Sequence, residues 1–358
     1  MLKVYRLNHI FTALAKYRMR RVVYIALFWT LINASVTVLN KSKPTQDSLL
    51  DVLLTSGLVF VMSLIMGYLF VFTLKDIFKK KSVYVNFISK SLIVLAAALF
   101  MNFIVQFVAL RLIQGDSIDV ALENFGSRTF SIYWILKKTL FWVILFIITQ
   151  FYLEINDKYS PGVFIDVLRG KYLIPKVEDR IVMFIDLKDS TPTAEFLGHS
   201  KYFLFIRDFI YNISMAIIEF KGVIYQYVGD EVVVSWKDNP ANIKACLDAV
   251  IQARKNIQKN SQEFNRKYDV IPEFRVGIHV GEVTVGEIGI IKKDLAMTGD
   301  TMNTTARIRS ACNEHNEKFI ISKAFKDKSD LKHFQVKSLG LVDLRGKAKE
   351  IELFSLKI

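Results

Sequence analysis

Hydrophobic and polar positions divide this chain into two unlike halves. In the first 152 residues, apolar side chains run almost unbroken through four stretches, 22–39, 50–74, 92–110 and 139–153. Apart from Asp51 at the edge of the second, the first three carry no charge. They approach or exceed the roughly 20 residues a helix needs to cross a bilayer. The fourth is less clean, because Lys137 and Lys138 interrupt a run that could otherwise begin at Phe130. Either that span starts after the lysines, or both ammonium groups reach toward an interface. Four transmembrane helices are therefore expected over 1–152.

The charges between these stretches orient them. Lys3, Arg6, Lys16, Arg18, Arg20 and Arg21 precede the first span, and Lys75, Lys79, Lys80, Lys81 and Lys90 flank Asp76 between the second and third. The alternate loops are mixed or acidic, with Lys41, Lys43, Asp47 and Asp51 in one and Arg111, Asp116, Asp119, Glu123 and Arg128 in the other. Basic loops stay in the cytoplasm, which places both termini inside and requires an even number of spans. No cleavage site follows the first span cleanly, so a removed signal peptide is not expected.

From 180 the pattern changes to short β-branched runs alternating with helical periodicity. The 153–179 segment between is a connector, broken by Pro161, Gly162, Gly170 and Pro175. "IVMFID" reads as a buried strand ending on Asp186, and Thr191-Pro192 as a helix start running to about Phe220. "VIYQYV" and "VVVSW" read as a hairpin turning at Gly229-Asp230. A helix follows from Ala241 to about Lys267, then a strand pair in "EFRVGIHVGEVTVGEIG" that turns near Gly281. A helix from Thr301 and three short strands, 319–321, 334–341 and 350–356, complete the chain. Strand–helix–strand–strand–helix–strand is the ferredoxin-like order. The expected fold is thus a four-span α-helical membrane domain followed by an α+β ferredoxin-like domain over 180–358.

Composition changes this picture little. The net charge of +14 lies largely beside the membrane, where anionic headgroups would meet it. The soluble half shows no interleaving of basic and aromatic residues, so a nucleic-acid partner is not expected. Cys246 and Cys312 read as small buried hydrophobes, and the five histidines have no metal-ligand spacing.

The candidate chemistry begins at the hairpin. A carboxylate in a turn is ordinarily solvated. In ferredoxin-like order, however, Asp186 approaches Asp230, and two converging carboxylates call for a cation between them. Oxygen donors without histidine or cysteine suit Mg²⁺ or Mn²⁺, and two such ions under one phosphate are suited to in-line displacement at phosphorus. Glu231 beside them reads as incidental. Ser190 and Thr191 in "LKDSTP" open a helix whose free N–H groups could hold a phosphate. In "TGDTMNTTARIRS", Asn303 and Arg307 stand four apart on one helical face, an amide and a guanidinium suited to a ribose oxygen and a charged phosphate.

"MFIDLKDST", "YVGDEVVVSW", "FRVGIHVGEVTVGEIG" and "TGDTMNTTARI", in this order and spacing, resemble the class III adenylate/guanylate cyclase catalytic domain, here of membrane-anchored bacterial type. The resemblance implies that Asp186 and Asp230 bind two divalent metal ions, Mg²⁺ or Mn²⁺, that Asn303 orients the ribose, and that Arg307 stabilises the α-phosphate in the transition state. In "LRGKAKEIELFSL", Arg345 or Lys347 matches the family's phosphate-contacting basic strand. The family acts on nucleoside triphosphates at a site between two domains placed head to tail, which implies a homodimer; with the four spans and basic flanks the expectation is a multi-pass protein of the inner membrane with its catalytic domain in the cytoplasm. Two positions depart from the family's adenine-reading pair. Gln226 stands where lysine is usual, and Ala296 where an aspartate or threonine is usual, leaving Thr298 or Lys293 as further candidates. ATP is the expected substrate, with GTP or a pyrimidine nucleotide as the alternative. A cyclase-like domain that binds nucleotide and relays a signal without turnover is the contrasting reading. A diguanylate cyclase would instead want a second glycine where Val228 stands.

Overall fold

The computed structural model describes residues 13–39, 46–74, 83–112, 117–129, 131–158, 166–167, 169–291, 294–343 and 350–358. It divides into two compact units, Met1–Asp157 and Lys158–Ile358.

In the first unit, α1 (Ala13–Leu39), α2 (Gln46–Tyr68), α3 (Val83–Leu112) and α5 (Ile132–Lys158) are long helices, and α2 continues into a π-helical turn at Leu69–Leu74. Four segments, Ala15–Leu39, Val52–Thr73, Ile88–Val108 and Ile132–Leu153, are long and apolar enough to cross a membrane. Their outward faces carry exposed Leu31, Leu53, Leu92 and Leu140, side chains that hydrocarbon solvates better than water does. Between helices, the Trp29 indole N–H donates to the Thr149 hydroxyl at 2.8 Å, and Trp29 meets Trp142 edge to face at 5.4 Å. Gly67 lets α2 approach α1 closely, since a Cβ there would lie 3.2 Å from Val22 Cγ1.

One of two open alternatives is selected here, and one expectation changes. Ser131 caps α5, its hydroxyl accepting from the Trp134 N–H at 3.2 Å, so Lys137 and Lys138 lie inside the helix rather than before it. The Lys138 ammonium sits 5.9 Å from the centre of the Trp134 ring. The stretch after α3, read as a loop, contains a helix, α4 (Ile118–Thr129). Ser117 starts it in the same way, accepting from the Val120 N–H, a local cap that hydropathy alone does not reveal.

In the second unit, β1 (Lys176–Leu187), α6 (Ser190–Glu219), β2 (Val223–Val228), β3 (Glu231–Lys237), α7 (Pro240–Lys259), α8 (Ser261–Tyr268) and β4 (Phe274–Ile288) come first. They are followed by β5 (Asp294–Thr298), α9 (Asp300–Glu314), β6 (Phe319–Ser322), α10 (Lys323–Lys326), β7 (Gln335–Val342) and β8 (Ile351–Lys357). The strands form one sheet in the order β2-β3-β1-β4-β6-β8-β7, with β5 also pairing with β4. Its first four strands have the ferredoxin-like order. The neighbour of β1 is β3, the returning arm of the hairpin, with Ile185 opposite Val232.

Side chains alternate across β1. Ile181, Met183, Ile185 and Leu187 enter the main core with α6, α7 and α8, while Val182 and Phe184 enter a second cluster on the opposite face. The helix α7 starts as its sequence demands, with the Asn239 side chain accepting from the Asn242 N–H and Pro240 at the first helical position. Its buried face includes Ile243, Cys246, Leu247 and Val250. Cys312 is buried as well.

Three sequence expectations need correction. The β4 segment does not turn at Gly281. It runs 15 residues unbroken, pairing with β1 from Phe274 to Val285, and its hairpin with β5 lies beyond Ile288. Gly281 is glycine because α9 packs there: an added Cβ would lie 2.6 Å from Thr301 Oγ1, which donates to the Glu282 carbonyl at 2.7 Å. The helix expected from Ala241 to Lys267 is two helices, interrupted at Asn260. Finally, α6 starts at Ser190 after Asp189, not at a Thr191 cap. The Asp189 carbonyl accepts both the Thr193 N–H and its hydroxyl, closing the turn early. Pro192 fits in that first turn because N–H groups there have no helical partner.

Candidate active site

The Gly229-Asp230 turn joins β2 to β3, with Val228 opposite Glu231 and Gly229 at φ 62°, a left-handed value glycine adopts without strain. Asp186, at the end of β1, falls on the same sheet face as Val182 and Phe184, and Glu231 on the same face as Val233. The helix α9 packs against this face. Gly277 on β4 makes that possible, since a Cβ there would meet the α9 backbone at Arg309, 2.8 Å from its Cα.

Arg309 therefore projects into the carboxylates. Its Nη1 lies 3.3 Å from Asp186 Oδ2 and its Nη2 2.8 Å from Glu231 Oε2. Asp230 Oδ2 is buried and, like Glu231 Oε2, has no hydrogen-bond partner among the described residues. Burial pushes the Asp186 carboxyl above its usual range; Arg309 opposes the shift and Asp230 adds to it. Burial also raises Glu231, again against Arg309. Tyr202, hydrogen-bonded to Ser190, has its phenol raised by burial and by Asp230. The donor chemistry fits a hard divalent cation: two aspartates near enough to repel each other, one of their oxygens unsatisfied, and no sulfur or nitrogen donor among the residues named. Among the described residues no three His, Cys, Asp or Glu side chains form a closed metal cage. Mg²⁺ does not ask for one, because it takes one or two carboxylates and fills its remaining positions with phosphate oxygens and water.

Asn303 and Arg307 do not join this cluster. The buried side of α9 is Thr301, Thr304, Thr305, Ile308, Ala311 and Cys312. Arg309 lies two residues, or roughly 200° of helical turn, beyond Arg307, so the two arginines leave opposite flanks. Asn303 is exposed and Arg307 half-buried, and neither makes a side-chain hydrogen bond or ion pair among the described residues.

Gln226 is exposed on β2, and Ala296 on β5 is only 6% exposed. A bulge between Ile224 and Gln226 turns Tyr225 inward, where its hydroxyl accepts from the Met297 N–H at 2.8 Å. This bond ties the backbone that carries Gln226 to the backbone that carries Ala296 and the exposed Thr298. The apolar cluster around it contains Tyr172, Met297 and Met302, the last beside Asn303. Tyr172 comes from the segment before β1, and its carbonyl accepts from the Glu287 N–H at 3.1 Å. Ser190 and Thr191 occupy the first turn of α6. Arg345, Lys347 and Lys293 lie outside the described residues.

Sequence reasoning missed Arg309, Tyr202 and Tyr225, and it took Glu231 as incidental although Glu231 anchors Arg309. One signal was available. Met302, Ala306 and Arg309 share a helical flank whose first two members are apolar, and an arginine ending such a flank asks for a buried acid.

Residues 174–357 match the family described as the adenylate and guanylate cyclase catalytic domain. Among curated proteins, the chain is 28% identical over 208 residues to adenylate cyclase 2 of Rhizobium meliloti (strain 1021), covering 58% of this chain and 57% of that protein. It is 24% identical over 221 residues to the adenylate cyclase of Anabaena cylindrica, covering 57% and 43%. The chain thus spans about half the length of these relatives. A bacterial light-regulated adenylyl cyclase has the same fold, with a TM-score of 0.54 at 16% identity over 64% of this chain and 66% of that one. Since the matched region is just over half of its 358 residues, the chain belongs to the adenylate and guanylate cyclase catalytic domain family.

Proposed function

We propose that this protein is a membrane-bound nucleotidyl cyclase that converts a nucleoside triphosphate, ATP in the first instance, to its 3′,5′-cyclic nucleotide and pyrophosphate. The observation that carries this reading is the arrangement around α9. Asp186 and Asp230 converge on one flank, with an unsatisfied carboxylate oxygen, while Asn303 and Arg307 stand ready on the other. One chain therefore supplies two half-sites that face different ways. Two copies placed head to tail would set the aspartates of one against the Asn303–Arg307 pair of the other, giving two equivalent sites by symmetry.

In such a site Asp186 and Asp230 hold the divalent ions on which cyclases of this class generally depend. Bound there, the metal would supply charge neutralisation at the phosphates and a lowered pKa at the attacking hydroxyl. Asn303 orients the ribose so that its 3′-oxygen faces the α-phosphorus. Arg307 meets the charge that develops on the α-phosphate as pyrophosphate leaves. The Ser190 and Thr191 N–H groups hold phosphate oxygens at the α6 terminus, with Arg345 and Lys347 as further phosphate contacts. Gln226, with an amide that both donates and accepts, reads the purine together with Thr298, and Ala296 contributes only shape. The four spans anchor 1–152 in the inner membrane with both termini and the catalytic domain in the cytoplasm, as the basic flanks direct.

The test is direct. Membranes carrying the protein are incubated separately with ATP, GTP, CTP and UTP in Mg²⁺ or Mn²⁺, and products are identified by mass spectrometry. A cyclic product that disappears in Asp230→Ala supports the reading. No product from any nucleotide, in a protein shown to be dimeric, overturns it in favour of a silent nucleotide-binding relay.

A further inference from the structure

The proposed reaction has no use for Arg309, although it lies in the acidic cluster. It is nonetheless held there on both sides. Its backbone is pressed against Gly277, and its guanidinium spans two carboxylates from different strands, Asp186 and Glu231. Among the described residues its Nε is buried without a hydrogen-bond partner, so those two acids and packing position the group. The contacts differ in kind: the guanidinium hydrogen-bonds Asp186 at 3.3 Å and makes a closer ion pair with Glu231 at 2.8 Å.

We propose that Arg309 is a built-in counter-cation that competes with divalent metal for Asp186, with Glu231 as the residue that retains the guanidinium when the metal enters. This rests on the reading of Asp186 and Asp230 as metal ligands, and adds to it a residue that sets metal affinity. Glu231 and Asp186 are adjacent across the β3–β1 ladder, since Val232 pairs with Ile185. Releasing Asp186 therefore needs only a small swing about the Glu231 contact, with no movement of α9. Without Arg309, the convergence of Asp186, Asp230 and Glu231 would leave three acids with little to separate them between turnovers. With it, the empty site keeps a cation at the cost of weaker metal binding. Arg309 is thus a positioning residue acting through Asp186, and it touches no reacting atom.

The experiment measures metal binding in the full-length protein in nanodiscs without nucleotide, by titrating Mn²⁺ and following the EPR signal of the free ion. Arg309→Gln alone would leave Glu231 buried and uncompensated, so the informative variant is Arg309→Gln/Glu231→Gln, which neutralises the pair and spares Asp186. It should bind Mn²⁺ about tenfold more tightly than wild type, equivalent to about 1.4 kcal/mol. Arg309→Lys keeps the charge but loses the fork that reaches both acids, so its Mn²⁺ affinity should fall between those of wild type and the double variant. Thermal melting of each variant identifies misfolding, which alone would not tighten metal binding. Equal or weaker Mn²⁺ binding in a folded double variant overturns the competition while leaving the metal site in place. If adding Asp186→Asn and Asp230→Asn to the double variant does not abolish binding, the assignment of those aspartates falls, and the proposal with it.

Discussion

Gly277→Ala tests whether α9 is pinned where the site needs it. A Cβ at this position would stand 2.8 Å from Arg309 Cα and 3.0 Å from its Cβ, while ordinary carbon–carbon contacts lie at about 3.5–4.0 Å. The obstacle is helix backbone, which no rotamer change removes, so α9 must retreat by roughly 1 Å. Overpacking of this kind costs about 1–3 kcal/mol. In a unit of this size each 1 kcal/mol lowers the melting temperature by about 2–4 °C. The retreat would also draw Arg309 away from Asp186 and Glu231 and displace Asn303 and Arg307 on the far flank, so cyclic-nucleotide formation should fall with stability. The assay is hydrogen exchange of the nanodisc-embedded protein read on α9 peptides, alongside a thermal melt; exchange reports the helix itself even if the membrane helices melt separately. Gly281→Ala is the internal comparison. There the obstacle is the Thr301 hydroxyl, so Gly281→Ala/Thr301→Ala should be no less stable than Thr301→Ala alone. No substitution of the Arg309 side chain should rescue Gly277→Ala. A Gly277→Ala protein that melts within about 1 °C of wild type, with unchanged α9 exchange, would refute the close-packing argument.

The divided site makes a further claim. Asp186→Ala/Asp230→Ala and Arg307→Ala should each be inactive, yet their co-expression should restore about a quarter of wild-type activity, because half the dimers are mixed and each has one intact site; no recovery in verified mixed dimers would count against the head-to-tail arrangement. Gln226→Lys should raise the ratio of ATP to GTP turnover, measured by mass spectrometry of mixed-nucleotide reactions, and an unchanged ratio would remove Gln226 from base reading. Glu273 accepts from Lys318 at 3.0 Å and Lys188 at 3.2 Å, and the Lys318 bond leads in holding its carboxyl below 4.5. Its stabilisation is therefore complete above the ordinary carboxylate value and lost as pH falls through the lowered one. Each half-exposed pair is worth about 0.2–1 kcal/mol. Wild type should accordingly melt above Glu273→Gln at neutral pH, with the gap closing as the pH is taken below 4.5, and a gap that persists in acid would contradict the assignment.

What the sequence disclosed, and what it concealed, follows from the range of the interactions. The hairpin tip, the end of β1 and the start of α9 were legible because turns, strand composition and caps act within a few residues. Gly281 misled for a related reason. A glycine in a β-branched run looks like a turn, but here it makes room for Thr301, a neighbour that only the folded chain supplies. The roles of Glu231 and Arg309 were hidden because the guanidinium and its Asp186 partner are 123 residues apart. No local pattern records such a pairing. The helix α4 escaped because its cap and amphipathic turn lie inside a charged stretch that hydropathy assigns to a loop. The opposed directions of Arg307 and Arg309 could be computed from helical geometry once α9 was in place, but which arginine faces the acids depended on the sheet.

Tyr172 has a practical bearing on where this chain can be cut. It is 3% exposed and lies in the cluster that backs Tyr225, Met297 and Met302, although it precedes every recognisable signature in the chain. A fragment beginning at Arg180 would lack this ring, together with residues 176–179 that pair with β4. Severing there would remove a wedge from behind Tyr225 and Met297 while leaving every signature residue present. Fusions that exchange the N-terminal helical unit should therefore splice upstream of Asp166, whose carboxylate already holds Lys171 at 2.9 Å. The portable module is longer than its motifs.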